Sequence, residues 1–243
     1  MNPATTLFIP TLNELDAMRV ILPQIDRAWV DQILVVDAST DGTADYAREQ
    51  GCEVVVQKQK GLRWAFIEGF PHVRGDWVVT FSPDGNSPPR AIPLLIEKMK
   101  EGFDMVIASR YLPPAKSDDD DWMTAFGNWL FTHTINVCHG HAWRRPYTDA
   151  MVMYRAYRTK LFYELDLDKE DSYDPERWFG TILGIEPLLS IRAAKHRAKI
   201  GEIPEDEPAR IGGKRKLQPF RWGGAYMTQV LRECWFHPRT PAP

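Results

Sequence analysis

An acidic turn follows an apolar run in the first half of the chain. Residues 77–80, Trp-Val-Val-Thr, lead into the segment 81–89, Phe-Ser-Pro-Asp-Gly-Asn-Ser-Pro-Pro. The run is typical of a buried strand, and the glycine and prolines indicate that a turn follows it. Ligands of open α/β sheets bind beyond the carboxyl ends of strands, where Asp84 would lie. A carboxylate there can hold a hard divalent cation, which in turn binds a diphosphate. The alternative is an Asp-Gly turn without a ligand.

Two further predicted strands also end in acidic turns. The apolar, β-branched run 32–36 ends at Asp37, and the strand-like run 7–9 leads into a turn that contains Glu14. Chance would rarely place carboxylates at three strand ends. The pattern therefore predicts one ligand site where the three strands end.

The elements that position these carboxylates alternate along the first half of the chain. The strand candidates are 6–10, 32–37, 52–57, 76–82 and 104–109, and the helix candidates are 14–25, 43–50, 62–70 and 89–100. Gly51 and Gly102 stand where helix C-terminal caps belong. The alternation predicts an α/β fold with a mostly parallel sheet flanked by helices. No G-x-G-x-x-G follows the first strand, which disfavours the dinucleotide-binding version of such a fold.

The second half is less regular. An acidic run, 118–121, is either a solvated loop or the first turn of the helix predicted over 122–137. Residues 178–197 are predicted to form one helix that contains Glu186, although Pro187 leaves open that a new helical segment starts there. A buried carboxylate is costly unless it is paired or functional, so Glu186 is a candidate site residue.

Two segments near the end of the chain have distinct compositions. Residues 210–216, Arg-Ile-Gly-Gly-Lys-Arg-Lys, are either a basic surface loop or a loop that closes over phosphates. Residues 220–236 are aromatic-rich, and packing of a last helix on the core is favoured over membrane contact.

Composition limits the classes of partner. The chain has 243 residues, a net charge of −3 and three widely separated cysteines. This charge gives no argument for nucleic acid, and the cysteines form neither a disulfide framework nor a zinc spacing. We see no signal peptide and no membrane span. We therefore expect a cytoplasmic protein, with peripheral contact at the inner face of the membrane as an alternative.

The motifs taken together resemble the inverting GT-A glycosyltransferases of family 2, especially the dolichyl-phosphate-mannose-synthase-like branch. The resemblance covers residues 5–216 and depends on the order and spacing of six segments. These are P-T-L-N-E at 10–14, V-V-D-A-S-T-D-G-T at 35–43, K-G-L-R-W-A at 60–65, A-S-R-Y at 108–111, T-D at 148–149 with Y-R-A-Y at 154–157, and E-I-P at 202–204 with the basic residues of 210–216.

The resemblance implies a Rossmann-like GT-A fold and a role for each matched residue. The nucleotide sugar, a UDP- or GDP-sugar, would be bound by Pro10, Thr11, Glu14, Asp37 and Gly61. Asp84 would bind Mg²⁺ or Mn²⁺ as the second acid of the family's D-x-D motif. Closure on the diphosphate or on the acceptor phosphate would involve Arg210, Lys214 and Lys216.

The resemblance also implies a division of the chain. We expect one GT-A domain over residues 1–216, with a nucleotide-sugar-binding half at 1–111 and an acceptor half with its helices at 112–216. A C-terminal helix and tail would follow at 217–243.

Two departures from the family pattern affect the chemistry. Ser82 stands at the first acid of D-x-D, which leaves one certain carboxylate for the metal. The acidic run 118–121 would repel an anionic lipid headgroup, so we hypothesise a neutral acceptor with a hydroxyl group. A hydroxyl acceptor needs a general base, for which Asp149 and Glu186 are the candidates, whereas a phosphate acceptor needs none.

The predicted function is therefore transfer of a sugar from a nucleotide sugar, with inversion, to a glycan, a glycolipid hydroxyl or a lipid phosphate. One alternative is a non-catalytic relative that binds nucleotide sugars, which Ser82 favours. The other is a sugar nucleotidyltransferase. That class normally has a Gly-rich basic loop after the first strand, and residues 10–14 are not such a loop.

Overall fold

Seven strands form one sheet in the computed structural model, which describes residues 3–139, 146–211 and 219–235. The strands are β1 (Thr5–Thr11), β2 (Gln32–Asp37), β3 (Glu53–Val56), β4 (Trp77–Thr80), β5 (Met105–Ser109), β6 (Arg155–Arg158) and β7 (Ile200–Pro204). The helices are α1 (Leu15–Ile21), α2 (Thr43–Glu49), α3 (Leu62–Gly69), α4 (Ala91–Lys100), α5 (Trp122–Cys138), α6 (Thr159–Glu164), α7 (Pro175–Phe179), α8 (Glu186–Lys195) and α9 (Pro219–Arg232).

The strand order is β3-β2-β1-β4-β6-β5-β7. β6 is antiparallel to both of its neighbours, and every other pair is parallel. The register places Thr11 opposite Asp37, so β1 and β2 end side by side. The sheet is mostly parallel, as predicted. The three acidic turns follow β1, β2 and β4 at the same end of the sheet.

Each face of the sheet carries its own apolar core. One core joins α3, α5, α6, α8 and α9 to the sheet and contains stacked rings, with the centroids of Phe70 and Phe162 3.8 Å apart. The other core joins α1, α2 and α4 through side chains such as Met18 and Leu95. Buried side chains of this size contribute about 1.5–3 kcal/mol each. Helices on both faces thereby fix the strand ends that carry the polar turns.

The predicted elements of the first half are confirmed to within a few residues, except that α1 is shorter and a 3-10 turn, Leu22–Gln24, follows it. The single helix predicted over 178–197 is wrong. α7 ends at Phe179 because Gly180 adopts a left-handed backbone with φ 56°, and α8 begins at Glu186 with Pro187 in its first turn. The alternative of a new segment at Glu186 is the one that the structure contains.

The last helix packs on the domain. α9 contacts α5, α7 and α8, and the carboxylate of Glu233 just beyond it accepts two hydrogen bonds from Arg192, at 3.0 and 3.1 Å. Both side chains are fully buried. Packing on the core, the favoured prediction for this segment, matches these contacts. Within the described residues, no helix has the length and apolarity needed to cross a membrane.

Candidate functional site

The adjacent ends of β1 and β2 hold one buried carboxylate. Asp37 Oδ1 accepts hydrogen bonds from Thr11 Oγ1 at 2.6 Å and from Ser39 Oγ at 2.5 Å. Its Oδ2 accepts from the Ser39 backbone N–H at 3.0 Å. All three donors are neutral, so they orient the carboxylate without compensating its charge. Such an arrangement suits recognition of a ligand N–H or hydroxyl.

The two loops beyond these strands are joined by side-chain hydrogen bonds. The Thr40 backbone N–H donates to Asn13 Oδ1 at 2.9 Å, and the Asn13 backbone N–H donates to Ser39 Oγ at 2.7 Å. Asp41 accepts a hydrogen bond from the backbone N–H of Thr43, the first residue of α2, at 3.0 Å. The Pro10–Glu14 turn and the Asp37 turn are therefore held as one unit.

Asp84 follows β4 in a turn that is closed by the segment after β7. Its Oδ2 lies 3.0 Å from Arg210 Nη1, and its backbone carbonyl accepts from the Ile211 N–H at 2.8 Å. Gly85 has φ 95°, and a Cβ atom there would lie 2.7 Å from a side-chain carbon of Ile211. Only glycine allows this conformation and this close approach. The structure thus brings together two residues that the sequence analysis assigned to the site, Asp84 and Arg210.

A pocket of about 240 Å³ opens beside Asp84. Its walls come from the turns after β4 and β5, the segment before β6 and the segment after β7. The lining residues are Leu62, Ser82, Asp84, Asn86, Ser87, Ala108, Arg110, Met151, Val152, Met153, Tyr154, Glu205, Asp206, Glu207 and Arg210. Of the residues predicted for the site, Asp84 and Arg210 line this pocket. Asp37 and its partners lie at the neighbouring strand ends.

Two side chains of the pocket, Asp84 and Asn86, offer oxygen ligands to a hard divalent cation, and Arg210 at 3.0 Å now occupies the carboxylate of Asp84 that the cation would share. Asn86 Nδ2 donates to Asp119 Oδ2 at 3.1 Å, while Asn86 Oδ1 is buried and accepts no hydrogen bond from the described residues. An amide oxygen left without a donor and a carboxylate two residues away are the oxygen ligands that Mg²⁺ and Mn²⁺ take. Ser82 also lines the pocket but supplies only a hydroxyl. Asp84 and Asn86 are the side chains that would hold the ion.

The charges of the pocket wall favour a cation as well. The wall contains four carboxylates and two guanidinium groups, so two negative charges remain in the described part of the wall. Burial lowers the pKa of Arg210, but Asp84, Asp119 and Glu14 outweigh burial and hold that pKa above its usual value. Glu14 is thereby electrostatically coupled to the pocket although it does not line it.

On the other side of the pocket, Arg110 forms ion pairs with Asp149 and Glu207. Its Nε donates to Asp149 Oδ2 at 2.6 Å, and its Nη1 lies 3.2 Å from both oxygens of Glu207. Burial lowers the pKa of Arg110, yet Asp149 and Glu207 raise it well above its usual value. Burial also raises the pKa of Glu207, which Arg110 and Ser117 partly offset. The guanidinium is therefore a fixed cation in the pocket wall.

The two predicted general bases are buried away from the pocket. Asp149 is fully buried, and both of its oxygens accept hydrogen bonds from Arg110. Its Oδ1 also accepts from the backbone N–H groups of Met151 and Val152, at 3.3 and 3.2 Å. Glu186 begins α8, and burial raises its pKa above the usual value. Neither carboxylate lines the pocket, so a role as base has no support in this geometry.

The acidic run 118–121 is largely engaged by partners within the protein. Asp119 Oδ2 lies 3.3 Å from Arg210 Nε, and Asp120 accepts a hydrogen bond from the Tyr111 hydroxyl. Asp121 caps α5 by accepting from the Thr124 N–H at 2.8 Å. Of the two interpretations of this run, the helix start applies to Asp121. The repulsion argument against an anionic acceptor is weakened, because Asp119 and Asp120 face partners within the protein.

The remaining predicted residues are placed as follows. Gly61 precedes α3 with φ 132°, and a Cβ atom there would lie 2.9 Å from Ile182. Pro10 is half-buried at the end of β1. Lys214 and Lys216 lie outside the described residues. The binding roles of these residues stay predictions.

Three residues of the site were not predicted from the sequence. Arg110 belongs to the A-S-R-Y motif but carried no assigned role, and Glu207 and Asn86 carried none either. Their contacts span up to 97 residues of chain, as in the pair of Arg110 and Glu207. Local pattern does not reveal such pairs. The one available signal was the position of Asn86, two residues after Asp84.

Comparison with known sequences gives consistent matches. The family model described as glycosyl transferase family 2 matches residues 6–166. The chain is 30% identical over 250 residues to the undecaprenyl-phosphate mannosyltransferase of Micrococcus luteus, covering 92% of this chain and 96% of that protein. It is 26% identical over 226 residues to the dolichyl-phosphate hexose transferase of Haloferax volcanii, covering 92% and 91%.

Comparison with solved structures gives the same fold. Glucosyl-3-phosphoglycerate synthase from Mycobacterium tuberculosis, solved in complex with Mn²⁺, uridine diphosphate and phosphoglyceric acid, superimposes with a TM-score of 0.66 at 17% identity. The match covers 98% of this chain and 80% of that one.

Proposed function

The chain belongs to glycosyl transferase family 2, and from this we propose that it transfers a sugar from a nucleoside diphosphate to a polyprenyl phosphate with inversion. The GT-A fold and the glycosyltransferase activity expected from the sequence are confirmed by the family match and the structural likeness. The family match also leaves the nucleotidyltransferase alternative without support. The division into the two halves 1–111 and 112–216 stays a prediction.

The hydrogen-bond partners of Asp149 decide between a hydroxyl acceptor and a phosphate acceptor. A hydroxyl acceptor needs a general base beside it. Both oxygens of Asp149, however, already accept hydrogen bonds from Arg110, and one of them also accepts from two backbone N–H groups. A phosphate acceptor is already anionic and needs no base. Two relatives that span almost the whole chain are named for transfer to undecaprenyl phosphate and dolichyl phosphate. We therefore replace the hydroxyl-acceptor hypothesis with a lipid-phosphate acceptor.

The donor would lie across the ends of β1, β2 and β4. Asp37, held by Thr11 and Ser39, accepts a hydrogen bond from the base or ribose. Arg210 faces the diphosphate from the segment after β7. A divalent cation, Mg²⁺ or Mn²⁺, held by Asp84 and Asn86 would supply positive charge to the leaving diphosphate.

The reaction needs little from the protein beyond position and charge. An oxygen of the acceptor phosphate attacks the anomeric carbon from the face opposite the diphosphate. The bond between that carbon and the diphosphate oxygen breaks, and the nucleoside diphosphate leaves with the electron pair. Arg110 remains in its ion pairs, and its positive charge stays fixed in the pocket wall beside the acceptor phosphate. Fixed charges of this kind stabilise a transition state without reorganisation.

The test is a transfer assay with the purified protein. UDP- and GDP-hexoses are supplied with Mg²⁺ or Mn²⁺, and either a polyprenyl phosphate or a glycolipid with free hydroxyl groups is offered as acceptor. We expect a sugar phosphate lipid from the first acceptor and release of one nucleoside diphosphate per product. Transfer to the hydroxyl acceptor alone would contradict the proposal. Binding of nucleotide sugar without any release would favour the non-catalytic alternative.

A variant pair sharpens the same assay. Arg110→Gln removes the cation that faces the acceptor phosphate, and Arg48→Gln removes an exposed cation that pairs with Asp45. We expect Arg110→Gln to raise the KM for polyprenyl phosphate about tenfold or more, because the variant loses a fixed positive charge, and two opposite charges about 4 Å apart attract by about 1–4 kcal/mol. Arg48→Gln should leave the KM unchanged.

A further inference from the structure

Helix α5 has an inverted distribution of polarity. Its buried positions include three polar side chains, those of Asn128, Thr132 and Asn136. Its exposed apolar side chains, which we call the outer face of α5, are Trp122, Met123, Phe126, Trp129, Leu130 and Val137. A helix on the surface of a water-soluble domain normally has the opposite arrangement.

The buried polar side chains explain which way the helix faces. Asn136 Nδ2 donates to the Tyr147 carbonyl and its Oδ1 accepts from the Tyr147 N–H, both at 2.9 Å. Thr132 Oγ1 accepts from the Ala150 N–H at 3.1 Å. These bonds fix α5 against the segment that carries Asp149. A rotation that buried the apolar face would leave these donors and acceptors unsatisfied, which costs about 1–3 kcal/mol for each group.

The outer face is large and lacks charge. Trp122, Phe126 and Trp129 are 78%, 56% and 57% exposed. The rings of Phe126 and Trp129 stack with centroids 5.9 Å apart, and Trp129 stacks on His133 at 5.4 Å. No Asp, Glu, Lys or Arg occurs in the 17 residues of the helix. A contiguous apolar surface of this kind marks an interaction site.

We propose that the outer face of α5 lies in the interfacial layer of a lipid bilayer, where it brings the pocket to a membrane-borne acceptor. The proposal rests on the proposed function, because the bilayer is the place where a polyprenyl phosphate is found. The helix is shorter than the roughly 20 residues that span a bilayer, so it lies in the plane of the surface. Tryptophan rings are the side chains most enriched at that depth.

The connection between this face and the pocket supports the choice of a bilayer. Asn128, on the opposite side of the same helix, accepts a hydrogen bond from Arg110 Nη2 at 3.5 Å. The pocket wall and the outer face are thus separated by one helix diameter, about 10–12 Å. The headgroup of a lipid on this face would reach the rim of the pocket while its chain stays in the bilayer.

The chemistry of the face predicts how it binds. Because the helix contains no cation, its attachment depends on the apolar area inserted and not on anionic lipid. Vesicles of phosphatidylcholine alone should therefore bind the protein. The measurement is co-sedimentation with such vesicles, together with quenching of tryptophan fluorescence by brominated acyl chains.

The test compares two variants with the wild-type protein. The double variant Phe126→Ser, Trp129→Ser changes two exposed side chains of the outer face. The control, Leu94→Ser, changes a side chain that is 52% exposed on α4, on the other side of the sheet. We expect at least a tenfold loss of vesicle binding in the double variant and none in the control. Both variants should transfer to a short-chain, water-soluble prenyl phosphate at the wild-type rate.

Three outcomes would overturn the proposal. They are wild-type protein that stays in the supernatant, a double variant that binds vesicles as well as the wild type, and a wild-type dimer that the double variant converts to monomer without any vesicle binding. The last would assign the outer face to a second copy of the chain. Vesicle binding is measured without donor or acceptor. The binding result can therefore be interpreted even if the proposed transfer reaction is not observed.

Discussion

Asp37 and Asp149 are both buried carboxylates beside the ends of strands, yet they are held by different partners. Asp37, at the end of β2, accepts hydrogen bonds from two hydroxyls and one backbone N–H. Asp149, in the segment before β6, is held by the guanidinium of Arg110 and by backbone N–H groups. The first keeps its charge available for a ligand, whereas the charge of the second is already matched within the protein.

The contrast shows that burial and position alone do not identify a functional carboxylate. Asp37 follows a strand-like run, whereas Asp149 stands before an apolar segment and was a candidate through its match to the family motif. The neutral partners of Asp37 leave its negative charge free to attract a substrate group. The cationic partner of Asp149 neutralises that carboxylate, which then serves to position Arg110. Of this ion pair, the group that lines the pocket is therefore Arg110.

The largest expected effect is at Asp84, which lines the pocket. Asp84→Ala removes the only carboxylate that we assign to the metal and leaves Arg210 paired with Asp119. Loss of such electrostatic stabilisation should lower kcat by about 10²–10³-fold. The turn should persist, because the Ile211 N–H bonds to the backbone carbonyl of residue 84. Steady-state kinetics and thermal unfolding check both points, and wild-type turnover would contradict the assignment.

The next effect tests whether Asp149 acts by holding Arg110 in place and not by binding a ligand. Asp149→Ala leaves Arg110 buried without its closest partner and should lower the free energy of unfolding by about 3 kcal/mol. The control is Asp45→Ala, which breaks an exposed pair with Arg48 and should change that free energy by less than about 1 kcal/mol. Urea unfolding measures both. Equal changes in the two variants would remove the distinction between Asp149 and a surface acid.

Asp37→Asn should mainly affect binding. The substitution keeps the size of the side chain but removes the charge that we assign to the donor's base or ribose. The affinity for nucleoside diphosphate should fall about tenfold or more, as expected for a hydrogen bond to a charged group. Isothermal titration calorimetry measures this, with Asp45→Asn as the control. An unchanged dissociation constant would show that the two buried carboxylates do not differ in the way described.

The smallest effect concerns Glu186. Burial raises the pKa of its carboxyl in the folded protein. The stability linked to its proton is therefore present below the unfolded pKa of about 4.3 and is lost as the pH rises through the folded pKa. Glu186→Gln should raise the Tm at pH 7, and the difference from the wild type should close toward pH 4. Transfer activity should remain, and its loss with an unchanged KM would restore Glu186 as a base.

The sequence predicted the elements up to β5 more fully than the later ones, for a physical reason. Strands and helices up to β5 alternate over short distances, so periodicity and turn residues locate them. After β5, β6 enters the sheet antiparallel between β4 and β5, and the predicted helix over 178–197 is interrupted at Gly180. The contacts of Arg110 with Asp149 and Glu207 depend on that topology, and no local pattern encodes it.

The buried hydrogen bonds of α5 also set how this helix moves. Asn136 binds both backbone groups of Tyr147, and Thr132 binds the Ala150 N–H, so the helix and the segment 147–150 are joined on both sides of Asp149. We expect them to move together, so that a shift of the helix would also displace the carboxylate that fixes Arg110. Slowed hydrogen exchange at the amides of Tyr147 and Ala150 would reveal this coupling directly.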